Sequence, residues 1–239
     1  MSGILILTGV ELEARALARE LEFPILPSLP FLAFGRDGVL VAPVGLRAGL
    51  LDARWPRLID AAERRVIVSA GVCGALDLRL RPGDLVIPES VLAPTGELYN
   101  VTPSQHRRAL GAATARVRAV ARTGVLVTTR NVVSTPEAKA ELHAHTGALA
   151  ADMESALILA RAAAAGCPSL VIRGVSDGAN QSLPPELVGL VTAEGKLRSG
   201  RALALMASRP TVLPRALALN HSTRKALRAV AALLAVFIG

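Results

Sequence analysis

Two groups of carboxylates stand in apolar settings: Asp152-Met153-Glu154 at the head of an alanine-rich stretch, and Asp177 at the end of Ser169-Leu170-Val171-Ile172-Arg173-Gly174-Val175-Ser176. A carboxylate withdrawn from water without a partner loses several kcal/mol of solvation or takes up a proton. Such positions suit proton transfer, or acceptance of hydrogen bonds from a polar ligand. Helix capping and pairing with arginine use the same residue types, so each acid alone leaves both readings open.

A third element lies between two apolar runs. Ser69-Ala70-Gly71-Val72-Cys73-Gly74-Ala75-Leu76 follows a strand-like segment and precedes Leu80-Arg81-Pro82-Gly83-Asp84-Leu85-Val86-Ile87. Glycines just past a buried strand let a ligand approach the backbone, at the place where α/β sheets bind ligands. A dinucleotide fingerprint does not fit. Gly71 and Gly74 are three apart, the triplet G-x-G-x-x-G is missing, and no helical pattern opens at once.

The elements that must position these residues alternate in type. The pattern predicts strands over Ile4–Leu7, Val39–Pro43, Arg65–Ala70, Asp84–Pro88, Gly124–Thr128 and Ser169–Val175, and helices over Glu11–Leu21, Leu50–Ala62, Pro103–Ala121, Thr135–His145 and Asp152–Ala165. Thr135 before Pro136 is a good helix start, and Gly166-Cys167-Pro168 stops the next helix. The expected fold is a single α/β domain with a mixed, mostly parallel central sheet flanked by helices. After Leu183-Pro184-Pro185 the strands cease, so the chain divides into a body, 1–195, and a basic, apolar helical tail, 196–239.

Composition supports a single large core: 239 residues, 51% hydrophobic, with only 3% aromatic. Charge is unevenly placed. The net +8 resides entirely in the tail, where eight bases from Lys196 to Arg228 meet no acid, while the body is neutral. Basic residues without interleaved aromatics argue against nucleic acid. Ala226–Gly239 is too short for the roughly 20 residues of a membrane span. It reads either as a peripheral helix lying on an anionic membrane surface or as a helix packed on the body. The N-terminus lacks a secretory signal, and Cys73 and Cys167 read as reduced core residues, which together predict a cytoplasmic protein, peripheral on the inner face of the membrane if the tail docks there. His143 and His145, two apart on a helix, predict no metal site, and His106 and His221 read as solvated.

Taken in order, Gly71–Leu76, Pro82–Ile87, Asp152-Met153-Glu154-Ser155 and Arg173–Asp177 resemble the nucleoside phosphorylase and nucleosidase superfamily, and within it the methylthioadenosine/adenosylhomocysteine nucleosidases. The resemblance covers roughly residues 1–180. Leu183-Pro184-Pro185-Glu186-Leu187-Val188-Gly189-Leu190 and the basic tail are similar to the branch associated with hopanoid biosynthesis, which acts on adenosylhopane.

The resemblance implies a nucleoside-phosphorylase-like fold and cleavage of the N-glycosidic bond of an adenine nucleoside with an apolar 5′ group. It implies Glu13 as the carboxylate activating the nucleophile, with Glu11 as the alternative register, and Asp177 as the acid protonating purine N7 from an apolar setting. Met153 and Glu154 would hold the ribose, Val132 and Val133 stand where an aromatic usually stacks on the base, and Gly71, Cys73 and Gly74 belong to the substrate-side turn. Ser69 and Val72 occupy positions where phosphorolytic relatives carry an arginine and a serine; Arg47 reads either as a substitute phosphate ligand or, the favoured reading, as a surface arginine. Neither metal nor organic cofactor is implied; inorganic phosphate is the one candidate co-substrate, and a homodimer is the implied assembly. A soluble methylthioadenosine/adenosylhomocysteine nucleosidase and a non-catalytic, membrane-docked nucleoside-binding protein are the rival readings.

Overall fold

The computed structural model describes residues 3–60, 65–184, 192 and 213–239. In chain order the elements are β1 (Gly3–Thr8), α1 (Glu11–Glu20), β2 (Phe34–Arg36), β3 (Val39–Pro43), α2 (Leu51–Asp60), β4 (Arg65–Ala75), β5 (Leu85–Val86), β6 (Ser90–Leu92), β7 (Leu98–Asn100), α3 (Pro103–Arg116), β8 (Ala121–Arg122), β9 (Val125–Thr128), α4 (Pro136–Thr146), β10 (Ala150–Asp152), α5 (Ser155–Ala164), β11 (Ser169–Asp177) and α6 (Leu213–Ile238). β3 and β11 are buried along their whole length, which is why they read as continuous apolar runs rather than alternating ones.

The sheet is mixed and mostly parallel, as expected. Its main path runs β2-β3-β1-β4-β10-β9-β6-β7, with β11 pairing β4 and β5. β3, β1, β4 and β11 are mutually parallel neighbours, as are β6, β9 and β10, and the two groups meet antiparallel where Ala151 pairs with Gly74. The carboxyl ends of both groups therefore face one junction, the usual place for a ligand in an α/β sheet.

β4 runs on through the glycines expected to form a turn. It continues to Ala75 because β11 also extends, pairing Arg173 with Gly71 and Gly174 with Val72. A register shift between Val175 and Asp177 then sets Asp177 opposite Gly74. This bulge re-aims the last side chains of the strand, a common device beside functional sites.

Other boundaries also differ. The helix expected from Asp152 starts only at Ser155, because Asp152 ends a short strand, Ala150–Asp152, paired with Thr128 of β9. α3 stops at Arg116, and β8 (Ala121–Arg122) then takes its place beside β5. His106 is buried, not solvated: its Nε2 lies 3.0 Å from Ile87 O and 2.9 Å from Thr123 Oγ1.

The terminal helix settles which of its two readings holds. Leu227, Val230, Ala231, Leu233, Leu234 and Phe237 of α6 belong to the same core as the strands. A Cβ on Gly174 of β11 would sit 2.6 Å from Ala226 O, so the glycine admits the helix at close range. Arg108 of α3 donates to Phe237 O at 2.5 Å and lies 4.4 Å from the centre of its ring. The apolar side of Ala226–Gly239 thus packs on the body, the second of the two readings. Arg215, Arg224, Lys225 and Arg228 stay on the exposed side, and the earlier basic residues of the tail lie outside the described residues. Phe237→Ala is expected to cost about 3–5 kcal/mol of stability. Denaturant unfolding checks this, and an unchanged midpoint would mean that α6 does not fold with the sheet.

Candidate active site

At the junction lies a cavity of about 230 Å³ lined by residues that follow or end five strands. Glu13 comes from α1 behind β1, Cys73 and Gly74 from β4, Met153 and Glu154 from the turn after β10, and Asp177 from β11. Val132 and Val133 close the apolar side together with Leu46, Leu76 and Leu183. Eight of the residues singled out in the sequence thus share one wall.

Glu13 rather than Glu11 faces inward. The helical period puts Glu13, Ala14, Leu17 and Ala18 on the buried face, whereas Glu11 turns outward and pairs with Arg15 at 2.7 Å. The two Glu13 oxygens accept from Val10 N (3.1 Å) and Val72 N (2.9 Å). Burial raises its affinity for a proton above that of an ordinary glutamate, against the pull of Arg173 and these amides. A carboxylate in that condition is a competent base.

Gly71 and Gly74 make room for the acids. A Cβ at Gly71 would lie 2.5 Å from Glu13 Oε1, and one at Gly74 would lie 3.1 Å from Asp177 Oδ2. Gly71 is not among the lining residues; it makes room behind them. Gly9 does the same for Glu154, whose Cδ would be 2.8 Å from a side chain there.

Glu154 Oε1 accepts from the backbone N of Arg47 at 2.9 Å. Arg47 and Ala48 both hold positive φ, 54° and 53°, a conformation costly for residues with a Cβ and often retained where it aims a functional group. The Arg47 side chain is exposed, lies 3.5 Å from Asn131 Oδ1 and lines a neighbouring cavity. Its contribution to the site is therefore its amide, and the exposed guanidinium fits the surface-arginine reading.

Behind the wall, Arg173 is fully buried. It pairs with Asp152 at 2.8 Å and donates to Ser69 (2.8 Å) and Ser155 (3.0 Å), while its Nη1 has no hydrogen-bond partner among the described residues. Asp152 accepts in addition from Thr128 Oγ1 (2.6 Å) and Ser155 N (2.9 Å). It is an architectural acid that holds Arg173 beneath Glu13.

Asp177 departs from the apolar setting expected of it. Lys139, 1% exposed, places Nζ 2.5 Å from Asp177 Oδ2, and Ser176 Oγ lies 2.6 Å from Oδ1. Lys139 is the buried charge of the site that sequence reasoning missed. Among the described residues no cluster of histidine, cysteine and acids could hold a metal ion.

The sequence matches the family described as "Phosphorylase superfamily" over residues 4–207. The chain belongs to the phosphorylase superfamily. Solved structures agree on the fold: a Helicobacter pylori methylthioadenosine nucleosidase mutant with 5′-methylthioadenosine in its active site (TM-score 0.73, 17% identity, 100% of this chain and 98% of that one), the Neisseria meningitidis 5′-methylthioadenosine/S-adenosylhomocysteine nucleosidase in complex with methylthio-immucillin-A (0.73, 19%, 100% and 99%) and the Helicobacter pylori futalosine hydrolase (0.72, 18%, 99% and 97%). No curated protein matches the sequence. Membership in the phosphorylase superfamily gives the cavity its chemistry: cleavage of the N-glycosidic bond of a nucleoside.

One acid of this site governs stability against pH. Burial first, then the Asp152 carboxylate, push the Glu154 carboxyl up to about 8 from an ordinary 4.5. Between those values the folded protein keeps a proton that the unfolded chain has lost, so stability present at low pH is lost as pH rises through this window. Glu154→Gln removes the titration and keeps an acceptor for Arg47 N. The variant should be more stable than the parent by about 1–3 kcal/mol near the top of the window and equal to it at the bottom. Urea unfolding at both ends measures this, and a difference independent of pH contradicts it.

Proposed function

We propose that this protein hydrolyses the N-glycosidic bond of an adenine nucleoside bearing an apolar 5′ group, and that the nucleoside is adenosylhopane. The observation that carries the reading is the division of labour among three buried carboxylates on one cavity. Glu13 takes a proton from attacking water at C1′, Glu154 accepts from the ribose hydroxyls, and Asp177 passes a proton to purine N7 as the bond to N9 breaks. Water is favoured over phosphate as nucleophile by charge. The two cations of the site are already engaged, Lys139 by Asp177 and Arg173 by Asp152, and a phosphate dianion would meet Glu13 directly. The Arg173 Nη1 hydrogens, without a partner among the described residues, suit a water shared with Glu13.

The apolar 5′ arm fits the surroundings. A second cavity of about 260 Å³ shares Thr129 and Met153 with the first and adds Ala93, Pro94, Leu157 and Ala160. The hopane assignment itself rests on the resemblance of Leu183–Leu190 and the basic tail, of which residues 185–190 lie outside the described residues. The exposed cations of α6, with Leu217 beside them 57% exposed, are the surface that would meet anionic headgroups. Assembly as a homodimer belongs to the same proposal.

Incubation with adenosylhopane, with and without phosphate, followed by mass spectrometry of the sugar product, tests the reading. Adenine and ribosylhopane are expected in both cases. A phosphorylated sugar formed only with phosphate overturns the hydrolytic assignment. Rapid cleavage of methylthioadenosine with none of adenosylhopane favours the soluble nucleosidase instead, the activity named for two of the structural neighbours.

A further inference from the structure

The Lys139 ammonium is enclosed by three acceptors: Asp177 Oδ2 at 2.5 Å, Gly178 O at 2.8 Å and Gln181 O at 3.0 Å. An ammonium has three hydrogens and no lone pair, so this cradle fits the charged amine and uses every one of its donors. The placement is unfavourable in other respects. Lys139 lies in the first turn of α4, whose N-cap is Thr135, where the helix dipole disfavours a cation, and it is almost wholly buried. A lysine held there against both costs has a partner that requires it.

That partner is Asp177, whose two oxygens both face donors. Lys139 engages Oδ2 and Ser176 engages Oδ1, so the resting acid is a carboxylate paired with an ammonium. In that state it has no proton of its own for a leaving purine. Ser176 supplies the missing freedom: its Oγ also lies 3.1 Å from Cys73 O, so its one hydrogen can turn there when Asp177 becomes protonated and must be accommodated.

Resting on the nucleosidase reading above, we propose that Lys139 is the proton source for the departing purine, acting through Asp177 as carrier. As C1′–N9 breaks, its electron pair goes to the purine and N7 takes a proton from the Asp177 carboxyl. Asp177 in turn takes one from the Lys139 ammonium, leaving a neutral amine that keeps Gly178 O and Gln181 O as acceptors. The attacking water gives its proton to Glu13. Net, one nucleoside and one water become adenine and a free sugar, and solvent returns a proton to Lys139 and removes one from Glu13 when products leave. The proton is thus stored inside the closed site. Among the described residues, the other titratable or charged groups near the pair are Cys73 on β4, Glu13, Asp152 and Glu154 across the cavity, Arg173 paired with Asp152 and, one turn along α4, His143, whose Nδ1 lies 2.8 Å from Ala148 O.

The test compares two leaving groups on one sugar: adenine, which needs a proton at N7, and nitrophenolate, which departs without one, both carrying the same 5′-alkylthio group. In the parent protein the ratio of the two kcat values should stay constant from mildly acid to mildly alkaline pH. In Lys139→Met, adenine release should fall by roughly 10²-fold at alkaline pH and less at acid pH, where Asp177 draws its proton from solvent, while nitrophenolate release stays within a factor of about three. Lys139→Arg should share the adenine-specific loss, because a guanidinium keeps the charge but does not release its proton. Equal loss on both leaving groups at every pH, or restoration by arginine, makes Lys139 an anchor for the Gly178–Gln181 turn and overturns the proposal. Should both variants fail to fold, the parent decides: an adenine-to-nitrophenolate ratio that falls steadily with rising pH shows a proton drawn from solvent. If the parent cleaves neither substrate, the nucleosidase reading itself falls and takes this inference with it.

Discussion

Replacement of Asp177 by asparagine is expected to slow adenine release by roughly 10²–10⁴-fold, the usual loss when a positioned general acid is removed. Asparagine keeps the shape, but it carries no proton to transfer to N7. It also leaves the Lys139 ammonium buried without its counter-charge, and breaking a buried pair from one side typically costs about 3–5 kcal/mol. Activity and stability must therefore be separated. The double variant Lys139→Met, Asp177→Asn removes both charges, so it should recover much of the lost stability and none of the lost turnover. Unfolding midpoints and adenine release measured on all three variants give the two quantities independently. Turnover of Asp177→Asn within about threefold of the parent removes Asp177 from the mechanism.

Two of the three carboxylates were legible in the sequence because each carries a local signal. Glu154 follows Asp152-Met153 in an apolar stretch and Asp177 ends an apolar strand, whereas Glu13 comes from the family resemblance alone and only the helix register separates it from Glu11. Lys139 carries no such signal. Among Glu137, Glu141 and two histidines it reads as one more solvated charge, and its burial arises only because the turn 178–181, some forty residues away, folds over it. Non-local closure of this kind leaves no trace in periodicity. The same limit explains β4 and β11, which look finished at Ala70 and Val175 but lengthen because each supplies the other's hydrogen bonds. α6 shows the complementary difficulty: an apolar run of helical period is compatible with a core or with a bilayer surface, and only packing on β11, α1 and α3 decides.

Glu13→Gln should lower kcat by roughly 10²–10⁴-fold with little change in KM, because the base acts on the water rather than on the bound nucleoside. The amide can accept from either Val10 N or Val72 N but not from both, since one of its two termini is now a donor. It cannot take up a proton at all. Arg173 keeps Asp152 as its counter-ion, so the framework beneath the cavity survives the change. A nucleophile that needs no base should bypass the defect. In Glu13→Ala, the shortened side chain opens space beside the partnerless Arg173 Nη1, a cationic position suited to a small anion. Azide added to that variant should restore adenine release and yield a glycosyl azide in place of the free sugar, identifiable by mass spectrometry. The parent, whose Glu13 carboxylate repels the anion, should form none. Release of adenine from Glu13→Ala that is unaffected by azide, with free sugar as the sole product, would show that the barrier lies elsewhere and that Glu13 only braces the amides of Val10 and Val72.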